Sequence, residues 1–126
     1  MTAAAFLAVA LGGVLGCSLR WLFSVLWNAS IPAVPMGTLA SNLIGGYLVG
    51  IAVAYFAAHQ SLPAEWRLFC ITGFLGGLTT FSSFSAENVQ LLLDGDVGAA
   101  FLHAALHLFG SLALTALGIV SFRALA

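Results

Sequence analysis

The chain has 126 residues, of which 62% are hydrophobic and only 6% charged, and its mean hydropathy is +1.12. Those values exclude an ordinary soluble domain, and a net charge of −1 with no lysine excludes a basic patch for nucleic acid or an anionic membrane surface. A helix crossing the hydrocarbon takes about 20 apolar residues, so the length holds about four spans and leaves no room for a soluble catalytic domain.

The expected architecture is an all-α integral membrane protein: one four-helix transmembrane domain over residues 1–126, with spans at 3–27, 36–58, 63–93 and 97–123 and the lipid bilayer as its surroundings. The first apolar stretch has no arginine before Arg20 and no evident cleavage site, so it is expected to be a retained span and not a signal peptide. Within it, Gly12 and Gly16 form a small-residue face that lets another backbone approach closely. Arg20 is costly at membrane depth, about 2.5–3.5 kcal/mol at a helix centre on insertion scales. Two readings fit it: a snorkelling anchor between Trp21 and Trp27, or a buried partner for helix-end carbonyls.

Residues 28–35, with Pro32 and Pro35, read as an uncharged loop. In the second span Thr38, Asn42 and Gly45/Gly46 fall along one helical face. Asn42 either bonds a neighbouring helix or offers the donors of its amide to an anion. Pro63 stands where a helix start tolerates proline.

The third span contains Gly73-Phe74-Leu75-Gly76-Gly77-Leu78-Thr79-Thr80-Phe81-Ser82-Ser83-Phe84-Ser85, which concentrates glycines that favour leaving the helix and hydroxyls that can cap a restarted one. A break is expected around residues 76–79, with a second half-helix starting near Thr80. Such a break frees carbonyls on one side and N–H groups on the other, which hydrocarbon cannot satisfy. The first half points a partially negative end at the break and the second a partially positive one, so cation and anion sites can both arise there. Beyond it, Thr80, Ser83 and Glu87 make a polar stripe beside Phe81 and Phe84. Glu87 is either a solvated carboxylate near the interface or a group lining a pathway.

Asp94-Gly95-Asp96 is a tight turn. The fourth span carries His103, His107, Ser111 and Thr115 at four-residue intervals, a polar stripe that faces protein or water. Two histidines four apart can ligate a metal, but the spacing supplies no third ligand and no glutamate between them as in a zinc-protease helix. Cys17 and Cys70 read as small packing residues, not a metal pair. With four spans, Arg67 and Arg123 share one side of the membrane and only Arg20 belongs to the other, so the positive-inside bias barely selects an orientation. Two opposite copies pairing about a twofold axis in the membrane plane fit that balance, with the GxxxG faces Gly12/Gly16, Gly46/Gly50 and Gly73/Gly77 offering close contacts.

Gly12-Gly13-x-x-Gly16-x-x-x-Arg20, Gly37-Thr38-Leu39-x-x-Asn42-x-x-Gly45 and Gly73-x-x-Gly76-Gly77-x-Thr79-Thr80-Phe81-Ser82-Ser83-Phe84-Ser85-x-Glu87 together resemble the Fluc (CrcB) family of small bacterial fluoride channels, over essentially the whole chain. The resemblance implies an antiparallel, dual-topology homodimer in the bacterial inner membrane that passes fluoride and is not an enzyme. It further implies a structural Na+ at the dimer centre, held by backbone carbonyls that fall on Gly76 and Thr79. The pore phenylalanines fall on Phe81 and Phe84, the pore asparagine on Asn42, and the polar track on His103, His107 and Ser111, where hydroxyls are the family's expectation. Thr38, Thr80, Ser83 and Glu87 join the expected fluoride pathway, and Arg20 is expected to be structural.

The nearest rival is a small proton-coupled multidrug or cation exporter with four spans, for which Glu87 is the only acidic candidate, late in its span. An intramembrane metalloenzyme built on His103, His107 and Glu87 lacks a nucleophile motif and a complete ligand set. A purely structural protein leaves the glycine and hydroxyl cluster without a reason.

Overall fold

A computed structural model describes residues 2–31 and 34–126, and four of its helical stretches are long and apolar enough to cross a membrane: Ala3–Trp27, Met36–Ala58, Ala64–Leu93 and Val97–Leu125. The first two are single helices, α1 (Ala3–Trp27) and α2 (Met36–Ala58). The third is composite. It begins as α3 (Ala64–Arg67), widens into a π-helical segment over Leu68–Leu75, and closes with α4 (Gly76–Leu78). It then resumes as α5 (Phe81–Leu93) after Thr79 and Thr80. The last span is α6 (Val97–Leu125).

Helix starts follow the hydroxyls and carboxylates. Thr2, Thr80 and Asp96 each accept a hydrogen bond from the backbone N–H three residues on, Ala5, Ser83 and Ala99, at 3.0–3.2 Å, which satisfies donors that a helix N-terminus leaves free. The turn before α6 has Gly95 at φ 82°, a left-handed conformation glycine adopts without strain. α2 has no cap of its own. Instead Asn28, just after α1, accepts from the Thr38 N–H at 3.0 Å and so ties the first two spans together. Pro32, in the loop expected over 28–35, lies outside the described residues.

The expected break exists, but its position and the role of its glycines differ from the sequence reading. Only Thr79 (φ −83°, ψ 152°) and Thr80 (φ −150°, ψ 117°) are extended, a geometry that suits β-branched residues. Gly76 remains helical at φ −64°, ψ −33°, and Gly73 and Gly77 lie within helix as well.

The glycines are there for contact. A Cβ at Gly77 would lie 2.8 Å from the Gly13 carbonyl oxygen, and one at Gly73 would lie 2.7 Å from that of Val9. From the other side, a Cβ at Gly16 would lie 2.8 Å from the Leu78 nitrogen. Gly50 and Gly118 likewise bring α2 and α6 together, with a Cβ at either meeting backbone nitrogen of the other helix at 3.0 Å. All three GxxxG faces are therefore spent inside one chain, which corrects the expectation that they supply contacts between two copies. Backbones can approach this closely only where no side chain intervenes, and lipid offers no hydrophobic drive to replace that packing.

The outward faces are apolar. Leu11, Val14, Trp21, Phe101, Phe109 and Val120 are all exposed, as lipid-facing residues are. Cys17 and Cys70 are free, and Cys17 packs against Gly77. A Gly50→Val substitution forces side-chain atoms into the α6 backbone and is expected to cost about 1–3 kcal/mol or more, read as loss of the monodisperse peak in detergent chromatography. Gly13→Ala, with nothing within 4 Å of the added carbon, should leave that peak unchanged.

Candidate functional site

The two extended threonines leave backbone groups of the third span without helical partners, and side chains from other helices meet several of them. Arg20 of α1 donates through Nε to the Gly77 carbonyl at 3.0 Å. That decides between its two readings: it serves a helix-end carbonyl. Asn42 of α2 grips Thr80 on both sides, its Oδ1 accepting from the Thr80 N–H at 2.7 Å and its Nδ2 donating to the Thr80 carbonyl at 3.0 Å. The Thr79 hydroxyl donates back to the Leu75 carbonyl at 2.9 Å. Among the described residues no hydrogen bond reaches the carbonyl oxygens of Gly76 or Thr79.

Asn42 also fixes a histidine. With Oδ1 committed to an N–H, its Nδ2 faces His107 Nδ1 at 3.0 Å. An amide nitrogen only donates, so Nδ1 accepts and the neutral ring carries its proton on Nε2. That Nε2 is buried and has no hydrogen-bond partner.

A groove of about 610 Å³ opens beside the break, lined by Asn42, Thr80, Phe81, Phe84, His107 and Ser111, among others. Six residues drawn from three spans of the sequence reading are thus brought together. Phe81 is 79% exposed, with its ring centroid 5.4 Å from that of Phe84. Phe84 lies against both histidines, 5.2 Å from the His103 ring and 4.7 Å from the His107 ring.

Beyond His107 the polar side chains continue inward. His103 is fully buried at 0% exposure, with Nδ1 3.3 Å from the Asn88 side-chain oxygen and Nε2 3.4 Å from Glu87 Oε2. The other Glu87 oxygen accepts from the Thr38 hydroxyl at 2.5 Å, and Asn28 Nδ2 donates to that hydroxyl at 3.4 Å. Glu87 is therefore neither free in solvent nor alone. Thr38, Glu87, His103, His107 and Asn42 form a continuous polar path from the α2 start to the break.

Three expected residues stand elsewhere. Ser83 serves the α5 start, where its N–H donates to Thr80 Oγ1 and the two hydroxyls bond at 3.1 Å, and it does not line the groove. Thr115 donates to the Gly46 carbonyl at 3.0 Å and pins α6 to α2. Gly76 is exposed on the outer face of the chain. Sequence reasoning missed Asn28, just after α1, and Asn88, within α5 beside Glu87; an amide at a span end or inside an apolar span was the available signal, but their partners lie 10 and 15 residues away.

These features define a four-span membrane protein with a largely apolar groove, studded with a few polar groups, at a broken helix. The family described as "CrcB-like protein, Camphor Resistance (CrcB)" matches residues 7–119, and the chain belongs to that family. It is 64% identical over 121 residues, covering 96% of each chain, to a protein of Cupriavidus metallidurans named fluoride-specific ion channel FluC. Proteins of the same name in Ralstonia nicotianae and Burkholderia cenocepacia are each 58% identical, the first over 99% of both chains and the second over 93% of this chain and 91% of its own.

Replacing Arg20 by Gln removes a charged donor from the Gly77 carbonyl and is expected to cost about 1.5–3 kcal/mol. Thr80→Val removes the α5 cap for about 1 kcal/mol. Thermal unfolding in detergent should rank Arg20→Gln below Thr80→Val and both below the unsubstituted protein.

Proposed function

We propose that the protein is a fluoride-selective passive ion channel, which lets fluoride leave the cell down its electrochemical gradient and lowers its toxicity inside. The observation that carries this reading is the groove at the break, which gathers Asn42, Thr80, Phe81, Phe84, His107 and Ser111 in a chain so similar to proteins named for fluoride conduction. Fluoride is small and holds its water tightly, so a route must offer several donors in succession without one deep trap. The Ser111 hydroxyl on the groove wall is such a donor, and the Asn42 amide becomes one when it releases the Thr80 carbonyl or the His107 ring. Phenylalanine edges carry the positive end of the ring quadrupole, which suits Phe81 and Phe84 to an anion. In a bacterial inner membrane the negative interior drives an anion outward with no other energy source.

The assembly is read as two copies in opposite orientation, an isologous pairing with its twofold axis in the membrane plane. Its support is the open side of the groove and the near-balance of arginines between the two sides. At the centre of that pair the Gly76 and Thr79 carbonyls would hold Na+, a hard cation that oxygen ligands suit. Their lack of donors fits such a role, because an unpaired carbonyl in hydrocarbon costs several kcal/mol. The ion would stitch the two breaks together.

Liposomes holding potassium fluoride or potassium chloride, with valinomycin to carry potassium, test the channel. Fast fluoride release with little chloride release is expected, and Phe81→Ile or Phe84→Ile should abolish it. Fluoride movement that requires a pH gradient and disappears in Glu87→Gln would select the exporter instead. For the pairing, a cysteine placed at one membrane edge should react with impermeant reagents from both sides of the liposome; labelling from one side alone would refute dual topology.

A further inference from the structure

The fourth span carries imidazoles at His103 and His107, and the fold sets a carboxylate beside them. Ligand atoms of Glu87, His103 and His107 all lie within 4.8 Å of one another. Three buried side-chain atoms in this one place, Glu87 Oε2, His103 Nε2 and His107 Nε2, have no hydrogen-bond partner. Both rings are nearly sealed from outside, at 0% and 5% exposure.

A direct proton bridge does not explain the cluster. His103 Nε2 stands 3.4 Å from Glu87 Oε2, whereas a charge-assisted N–H to carboxylate bond closes to about 2.7–2.9 Å. Two ligands bound to Zn2+ at about 2.0–2.1 Å in a tetrahedron stand about 3.3 Å apart. The gap between His103 and Glu87 matches that edge, and His107 lies within 4.8 Å of both. Sequence spacing withholds the third ligand because Glu87 and the histidines belong to different helices, and the turn at Asp94-Gly95-Asp96 brings those helices face to face.

From this convergence of three unpartnered ligand atoms we propose that Glu87, His103 and His107 form a binding site for a divalent transition metal of the Zn2+ class, and that its occupancy closes the polar path. Imidazole and carboxylate together suit Zn2+, Co2+, Ni2+ or Cu2+ better than Mg2+ or Ca2+. Three protein ligands leave a fourth position for water or a small anion. One carboxylate leaves the centre with a positive charge, which a bound anion would neutralise at membrane depth. Metal on His107 Nε2 moves that ring's proton to Nδ1, where the Asn42 amide now donates. Binding therefore breaks the Asn42–His107 bond and places a strong anion ligand in the middle of the path, a trap that conduction cannot tolerate.

The site itself does not depend on the channel reading; its inhibitory consequence does. The experiment pairs two readouts. Purified protein in detergent is titrated with Co2+ and followed by visible absorption, then challenged with Zn2+. Fluoride efflux from liposomes is measured with Zn2+ on both sides, before and after EDTA, and each variant is compared with its own metal-free rate. One Co2+ per chain with tetrahedral absorption bands, displaced by Zn2+ and lost in His103→Gln and His107→Gln, is expected. Efflux should stop with Zn2+ and return with EDTA, and each variant should need at least ~100-fold more Zn2+, since even outer partners of a ligand change metal affinity 10–100-fold. Folded, unsubstituted protein that gives no Co2+ bands, or variants that bind Co2+ equally well, would overturn the site, and the first of these outcomes needs no variant to fold. Bound Co2+ with Zn2+-insensitive efflux would overturn the blocking role alone, and bound Co2+ in a protein that passes no fluoride would count against the channel reading instead.

Discussion

The structure depends on satisfying the backbone groups exposed where the third span breaks at Thr79 and Thr80. In hydrocarbon each unpaired N–H or C=O costs several kcal/mol, far more than the ~1 kcal/mol a capping hydroxyl returns, so the break can exist only where other helices bring partners to it. Arg20 comes from α1 to the Gly77 carbonyl and Asn42 comes from α2 to both polar groups of Thr80. These two contacts fix where α1 and α2 must lie. They also make Asn42 a structural residue and a groove residue at once.

Packing then follows from where side chains are missing. α1 lies against the first half of the third span through Gly12, Gly16, Gly73 and Gly77, and α2 lies against α6 through Gly46, Gly50 and Gly118. α5, restarted by Thr80, contains no fully buried residue, and it leans on α6 through Phe84 and the two histidines. The groove lies beside the break, between α5 and the glycine-packed pair of α2 and α6. Its wall is mostly apolar, with Asn42, Thr80, His107 and Ser111 set among Phe81, Phe84, Leu108 and Leu112.

Electrostatics at the inner end of the path run through Glu87, the carboxylate of α5. It is held by the Thr38 hydroxyl and faces His103, and Thr38 is itself positioned by Asn28. A charge at membrane depth is costly unless it is paired or hydrated, and here one oxygen has a donor while the other faces an imidazole. That asymmetry leaves ligand capacity directed at the histidine pair.

By itself the sequence determined the class and most of the parts. Hydropathy alone placed four spans within a residue or two of their ends, because a backbone in lipid has no alternative to the helix. The threonine and serine cluster announced a restarted helix, and the motif register announced the family. What it left open were contacts between helices, since a periodic pattern shows which residues share a face but not what that face meets. Arg20 as anchor or partner, and Glu87 as solvated or enclosed, were both decided by neighbours 57 and 49 residues away. The glycines were legible as small but not as helical, because their value lies in the backbone that approaches them. Only the tertiary structure set a carboxylate from one helix against two histidines from another. That meeting depends on the path of the short turn Asp94-Gly95-Asp96 between α5 and α6, which no spacing along the chain records.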